Sequence, residues 1–157
     1  MALKELHNKL AEISVDLKQW IDTDAPRIFG KTAVDIYERN FQNEGFLNNG
    51  LQPWQQVKRR IAGSKAKGAA GSRKILTDSG KLGSSFKYKP GNGEVRIYNN
   101  ARSASGFPYG QVHNNGATDA GRNRNVIIPK RQIIGESAEL NRLCEMEITR
   151  KLKSLFK

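Results

Sequence analysis

Three side chains in this sequence carry groups that could serve as nucleophile or base near neutral pH: His7, His113 and Cys144. A hydrolytic site needs a nucleophile, a base beside it and a group that orients the base. His7 falls on the charged side of an amphipathic pattern and reads as a surface residue. His113 precedes Asn114-Asn115-Gly116, a setting for structural hydrogen bonding, and no Gly-x-Ser-x-Gly elbow accompanies it. Cys144 lies on an apolar stripe, where a buried, inert thiol is expected. A lone cysteine excludes an intrachain disulfide framework and a zinc ribbon, and neither histidine stands at ligand spacing from it. Asp78, Glu94 and Asp119 are too scattered to suggest a two-metal nuclease. The glycines between Gly63 and Gly71 enclose lysines without the phosphate-loop pattern, and Gly80-Lys81 runs on into Leu82. These residues point away from catalysis, and no cofactor or metal is expected.

Binding gives a stronger signal. Lys58, Arg59, Arg60, Lys65, Lys67, Arg73 and Lys74 stand among glycines and alanines, with no acidic residue between Glu44 and Asp78. Such a run could neutralise several phosphates, with strong salt dependence. It lacks interleaved aromatics for base stacking, and no zinc-finger or RNP pattern accompanies it. Two readings stay open: a solvated loop, and non-specific contact with nucleic acid through residues 58–74. The whole chain of 157 residues carries 27 Lys and Arg against 15 Asp and Glu, a net charge of +12. That excess is uneven. Residues 1–48 hold six basic and eight acidic side chains, and residues 49–157 hold 21 and seven. Any polyanion contact is therefore expected in the later two-thirds.

The elements that must position these residues follow from periodicity. Leu3, Leu6, Leu10, Ile13, Leu17 and Trp20 recur at spacings of three and four, which predicts a helix over residues 1–22. Asp24 and Pro26 have the character of an N-cap and a first turn, so a second helix is expected from Ala25 to Glu44. Ile28, Phe29, Ala33, Ile36, Tyr37 and Phe41 would form its apolar face, with Asn43 and Gly45 as stop signals. The short joint implies an antiparallel pair or one kinked helix. Gly45, Asn48, Asn49, Gly50 and Pro53 suggest irregular backbone, and 55–75 reads as a long mobile basic loop with a turn of helix near Trp54 to Ile61.

Alternation around Pro90-Gly-Asn-Gly93 predicts a hairpin, apolar on one face and basic on the other. Val126-Ile-Ile128 reads as a third strand ended by Pro129. A last helix is expected from Ser137 to Leu155, with Leu140, Leu143, Cys144, Ile148, Leu152 and Leu155 on one side. The fold class is thus α+β: N-terminal helices and a C-terminal helix packed on a small antiparallel sheet, with a long basic loop, in a single domain over 1–157. A sheet this small needs the terminal helices to cover its apolar face. Mean hydropathy is −0.65, and the longest unbroken apolar run is Val126-Ile127-Ile128. No membrane helix and no secretory leader are therefore expected.

The order of short motifs adds more than any of them alone. Gly50-Leu-Gln-Pro-Trp54 precedes the basic segment, and Ile75-Leu-Thr-Asp78-Ser-Gly80-Lys-Leu82-Gly-Ser-Ser-Phe86 follows it. Next come Val95-Arg-Ile-Tyr-Asn99, Tyr109-Gly-Gln-Val-His113-Asn-Asn-Gly116 and Ile128-Pro129-Lys-Arg131-Gln-Ile-Ile-Gly135-Glu-Ser137. This series, across residues 25–157, resembles the phage virion morphogenesis family, the tail-completion and head–tail joining proteins of Mu-like phages. Gly110 replaces the usual alanine, and Ile133 or Ile134 the usual aromatic. The resemblance implies a non-enzymatic virion protein, assembled in the bacterial cytoplasm. It also implies a homo-oligomeric ring around the DNA passage that docks on other neck or tail proteins.

Physical chemistry gives the motif residues structural roles. Asp78 or Ser79 would accept from backbone N–H groups ahead, and Gly80 would take positive φ. Leu82 and Phe86 would anchor that turn in the core. Tyr109 and Val112 would pack a helical turn closed by Gly116. Pro129 and Arg131 would lead into the last helix, with Arg131 bonding carbonyls or a neighbouring subunit's carboxylate.

Overall fold

The computed structural model describes residues 2–61, 69–121 and 123–156, with residues 69 and 70 described by backbone alone. Helix α1 (Ala2–Gln19) runs through a π-helical turn (Trp20–Asp24) into α2 (Ala25–Asn43). The joint is a bulge in one long helix, and not an antiparallel pair. Asp24 is helical, with φ −88° and ψ −43°, and its side chain caps nothing. The cause is Pro26, which has no N–H to donate back along the helix. The N–H of Ala25 bonds the Trp20 carbonyl, and the Asp22 carbonyl instead accepts a long bond from Gly93 N at 3.4 Å.

Helix α2 ends at Glu44, between the stop signals Asn43 and Gly45, and Glu44 itself takes the left-handed conformation (φ 52°, ψ 40°). A non-glycine residue is uncommon there and needs local compensation. Glu44 has it. Its carboxylate accepts from Ile75 N at 2.6 Å and from Arg60 Nη1 at 2.7 Å, and its carbonyl accepts from Trp54 N at 2.8 Å.

The chain then forms β1 (Gly45–Asn48) and β2 (Gly50–Pro53), an antiparallel hairpin where irregular backbone was expected. The punctuating Gly, Asn and Pro residues conceal it, because β1 has only four residues and β2 faces solvent throughout. A 3₁₀ turn at Lys58–Arg60 and a short helix α3 (Ala69–Ser72) follow. The described ends of the expected long loop are therefore ordered. Lys65 and Lys67 lie outside the described residues.

Beyond a 3₁₀ turn at Gly83–Ser85, β3 (Phe86–Pro90) pairs with β4 (Val95–Asn99) as the expected hairpin, with Tyr88 opposite Ile97. Helix α4 (Tyr109–Asn115) is closed by Gly116 at φ 78°. β5 (Ala117–Ala120) pairs with β6 (Val126–Ile128), so the expected third strand completes a separate hairpin and does not join the first. Helix α5 (Ala138–Leu155) is capped by Ser137, whose Oγ accepts from Leu140 N at 3.1 Å. The fold is α+β as expected, with its strands in three separate two-stranded pairs.

The internal helix α2 packs most closely against β3, and then equally against β1 and β4. Ala33, Ile36, Tyr37 and Phe41 meet Phe46, Trp54, Ile75, Leu82, Phe86 and Ile133 in one buried cluster. Gly30 lets β3 come close: a Cβ there would lie 2.3 Å from Tyr88 Cδ2. The α1 stripe, by contrast, buries no side chain. Leu3 is 84%, Leu6 55% and Leu10 50% exposed. Helix α5 leans on α2 and β1 through half-buried Leu140 and Leu143. Cys144 is half-buried, and burial pushes its thiol pKa up, with Glu145 and Glu147 adding to the effect.

Two outcomes test this account. Arg60, Ile75 N and Lys74 hold the Glu44 carboxyl below its ordinary pKa of 4.5, the Arg60 hydrogen bond contributing most. A depressed carboxylate stabilises the fold above its unfolded pKa, and that contribution is lost as pH falls through the folded value. Glu44→Gln should cost about 1–3 kcal/mol at pH 7, and its urea midpoint should fall less than the wild type's between pH 6 and pH 3. Gly30→Ala should destabilise by about 1–3 kcal/mol through overpacking against Tyr88. Tyr88→Ala in the same chain should recover part of that loss, read as coupling in a double-mutant cycle.

Candidate functional site

Three of the motif segments, those at 75–86, 109–116 and 128–137, meet the basic segment at one cleft of about 470 Å³. Its floor is built by the residues that follow the core strands and helices. Trp54 is buried and donates Nε1–H to the Gln132 carbonyl at 2.9 Å, which fixes the chain on both sides of the opening. The 3₁₀ turn that follows presents Arg59. Its Nη2 donates to the carbonyls of Arg73 and Lys74, both at 2.9 Å. Arg60 turns the other way, to Glu44 and to the Arg73 carbonyl at 2.9 Å. Lys74 Nζ donates to the Gln42 carbonyl at 2.9 Å. Lys58 is exposed and does not line the cleft.

The opposite wall is the Thr77–Leu82 turn. Gly80 adopts φ +72°, and the Ser79 hydroxyl accepts a long bond from Lys81 N at 3.4 Å, as the residue types predicted. Asp78 is ion-paired with Arg73. Leu82 is buried beneath the turn, and Asn99 Nδ2 donates to its carbonyl at 2.8 Å. Lys81 Nζ donates to the Arg102 carbonyl at 2.7 Å.

Helix α4 closes the back. Tyr109 and His113 meet edge-on, with ring centroids 6.4 Å apart. The His113 carbonyl accepts from Arg131 N at 2.8 Å, and Asn114 Oδ1 accepts from Ile133 N and Ile134 N at 2.9 and 3.0 Å. Gly116 lies against the chain leaving β6: a Cβ there would sit 2.9 Å from Lys130 N. Pro129 is half-buried beside it. Arg131 is only 6% exposed, and its Nε donates to the Gln55 carbonyl at 3.0 Å. The carbonyl bonding expected of Arg131 is present.

The electrostatics of the cleft are one-sided. Arg59, Arg73, Lys81 and Arg131 line it, and Asp78 is its one carboxylate. Burial lowers the Arg131 pKa, and the nearby Arg59 charge lowers it further. Burial also lowers the pKa of His113, with Arg131 adding to the effect, so the imidazole is neutral at pH 7. Arg59 Nε and His113 Nδ1 are buried and lack a hydrogen-bond partner among the described residues. No cluster of three metal-ligating side chains occurs among the described residues.

The phage virion morphogenesis family model matches residues 3–153. The chain belongs to the phage virion morphogenesis family. No curated protein and no solved structure matched the chain. Membership makes it a virion morphogenesis protein with other phage proteins as its partners. No helix among the described residues is long and apolar enough to cross a membrane.

Of the residues singled out from the sequence, this virion morphogenesis protein gathers Arg59, Arg73, Asp78, Gly80, Leu82, Tyr109, His113 and Arg131 at the cleft. Trp54, Gly116 and Pro129 support it from behind, and Lys58, Arg60 and Lys74 point elsewhere. Val57, Leu76 and Lys81 also line the cleft and were not singled out. Nothing in linear spacing marks them, because the cleft closes between residues as far apart in the chain as Val57 and Arg131.

A histidine whose pKa is depressed by burial disfavours protonation in the folded state. Stability should therefore fall as pH drops below 6.5, levelling off once the folded pKa is passed. His113→Asn should remove that slope from urea midpoints measured between pH 7 and pH 5. In the wild type, ring-proton NMR should show His113 titrating below 6.5.

Proposed function

We propose that this chain is a non-enzymatic ring subunit that completes the tail or joins head to tail, acting at the neck or tail end. Membership of the virion morphogenesis family over nearly the whole chain carries this reading. The single domain over 1–157 is the wall unit, repeated around the DNA passage. Two surfaces support an assembling rather than a solitary role. The α1 stripe leaves Leu3, Leu6 and Leu10 open to solvent, which is costly for a free monomer and useful at a subunit contact. The cleft concentrates cations whose own chain supplies one carboxylate. The protein is placed in the virion, after assembly in the bacterial cytoplasm.

The same observations weigh against a free nucleic-acid-binding protein acting through residues 58–74. Arg59, Arg60 and Lys74 spend donors on their own chain's carbonyls or on Glu44, and Arg73 on Asp78. Contact with DNA in transit would then fall to Lys58, Lys65 and Lys67.

Deleting the reading frame from the phage or prophage that encodes it should leave unjoined heads and tails in electron micrographs. Complementation in trans should restore infectious particles. Normal, fully joined particles in the deletion would refute the role. Lys58→Gln, Lys65→Gln and Lys67→Gln together should lower infectious yield while the thermal midpoint of the isolated protein stays unchanged.

A further inference from the structure

The cleft holds a charge problem that its own chain leaves unsolved. Arg131 is almost wholly buried, and Arg59 is close enough to repel it. A buried cation is costly unless an anion pairs with it. Neither guanidinium has a carboxylate partner among the described residues. Asp78 is committed to Arg73 and stands 87% exposed at the rim. Residues 62–68, the stretch that follows the 3₁₀ turn, contain no Asp or Glu, so this segment cannot supply the counter-charge. Arg59 Nε and His113 Nδ1 add two more polar atoms that are buried and unpartnered.

We propose that this cleft is a receptor for a carboxylate side chain carried by an acidic protein segment, seated against Arg131 and Arg59. A carboxylate fits the lining: Arg131 and Arg59 both face the recess, and a guanidinium's planar fork pairs with two oxygens. The neutral His113 supplies one N–H and one acceptor nitrogen, and adds no charge to compete for the anion. The rest of the lining decides between protein and nucleic acid. Val57, Leu76, Leu82 and Tyr109 give the walls an apolar share suited to the methylenes of Glu and to a neighbouring aliphatic residue. A recess of about 470 Å³ admits one or two side chains. The phosphates of a duplex lie on a wide convex surface and would remain outside it.

The segment's owner rests on the assembly reading above: it belongs to a second copy of this chain, whose first 48 residues are net acidic. The binding site itself does not depend on that reading. Particle yield tests one and ligand binding the other, so the two can fail separately.

The test uses the full-length protein and a fluorescently labelled hexaglutamate peptide, followed by anisotropy at fixed ionic strength. Saturable binding is expected. Arg131→Gln should weaken it at least about tenfold, as loss of a charge-assisted hydrogen bond requires. Lys87→Gln with Lys89→Gln, on the exposed hairpin face, should change it less than about twofold. Equal loss in both variants would reduce the effect to net charge and overturn the proposal. Overturning it equally would be a short DNA duplex that binds with the same dependence on Arg131. If Arg131→Gln unfolds, the Arg Nε–Hε resonances of the unaltered protein serve instead. Those of Arg131 and Arg59 must shift on saturation with the peptide, and unmoved resonances would sink the site.

Discussion

Glu44 is the constraint on which the rest of the structure depends. It stands where a 19-residue helix stops and the chain reverses, in a backbone conformation that its side chain does not favour. Three partners distant in sequence hold it there: Arg60, Ile75 and Trp54. Each of those bonds places one wall of the later structure. Trp54 fixes the end of the first hairpin and reaches on to Gln132. Arg60 orients the 3₁₀ turn, which sets Arg59. Ile75 begins the segment that becomes the Thr77–Leu82 turn. One carboxylate thus registers both sides of the cleft against α2. The ion pair is only partly exposed, at 21% and 23% of the two side chains, so water screens it less than an open surface pair.

The same accounting changes what the charge of +12 means. Read as composition, the excess suggests a polyanion partner. In the fold, much of the basic segment is turned inward onto backbone carbonyls. Arg59 and Arg60 together bond the carbonyls of Ser72, Arg73 and Lys74, stitching the chain on either side of residues 62–68. Arginine suits that work because its fork can serve two carbonyls at once. What remains is buried Arg131, with half-buried Arg59 near it and a neutral histidine beside them. Seven basic residues stand out in the sequence as a contact list, and the fold divides the five described ones into stitches, one rim ion pair and an exposed lysine.

Elements governed by periodicity were legible in the sequence, and those governed by closure were not. Helix α2, the β3–β4 hairpin and α5 follow from apolar spacing, turn residues and the Ser137 cap, which act within a few positions. The β1–β2 hairpin was missed because its signals are the Gly, Asn and Pro residues that ordinarily denote loops. The π turn left an antiparallel pair and one kinked helix both open, because Pro26 looks the same at a first turn as at a bulge; the Gly93 N–H that meets the freed Asp22 carbonyl comes from 71 residues away. The motif series identified the residues around the cleft without showing that they shared one. Tyr109, His113 and Arg131 were assigned separate structural tasks, and the backbone bond from Arg131 N to the His113 carbonyl is what joins them.

Helix α1 carries the argument from folding to assembly. Its spacing of three and four is that of a helix that buries one side, yet no residue of it is buried. A separate 18-residue helix of this kind would be marginal in water, since nucleation is unfavourable and tertiary packing usually supplies the balance. Continuity with α2 removes the nucleation cost, because the π turn passes the helix on without breaking it. The stripe can therefore remain ordered and open, in a chain whose core is complete without it. Order without burial is affordable here only because α2 is anchored so firmly at its far end, by Glu44. The node that shapes the basic cleft at one end of the long helix thus also allows an exposed apolar face at the other.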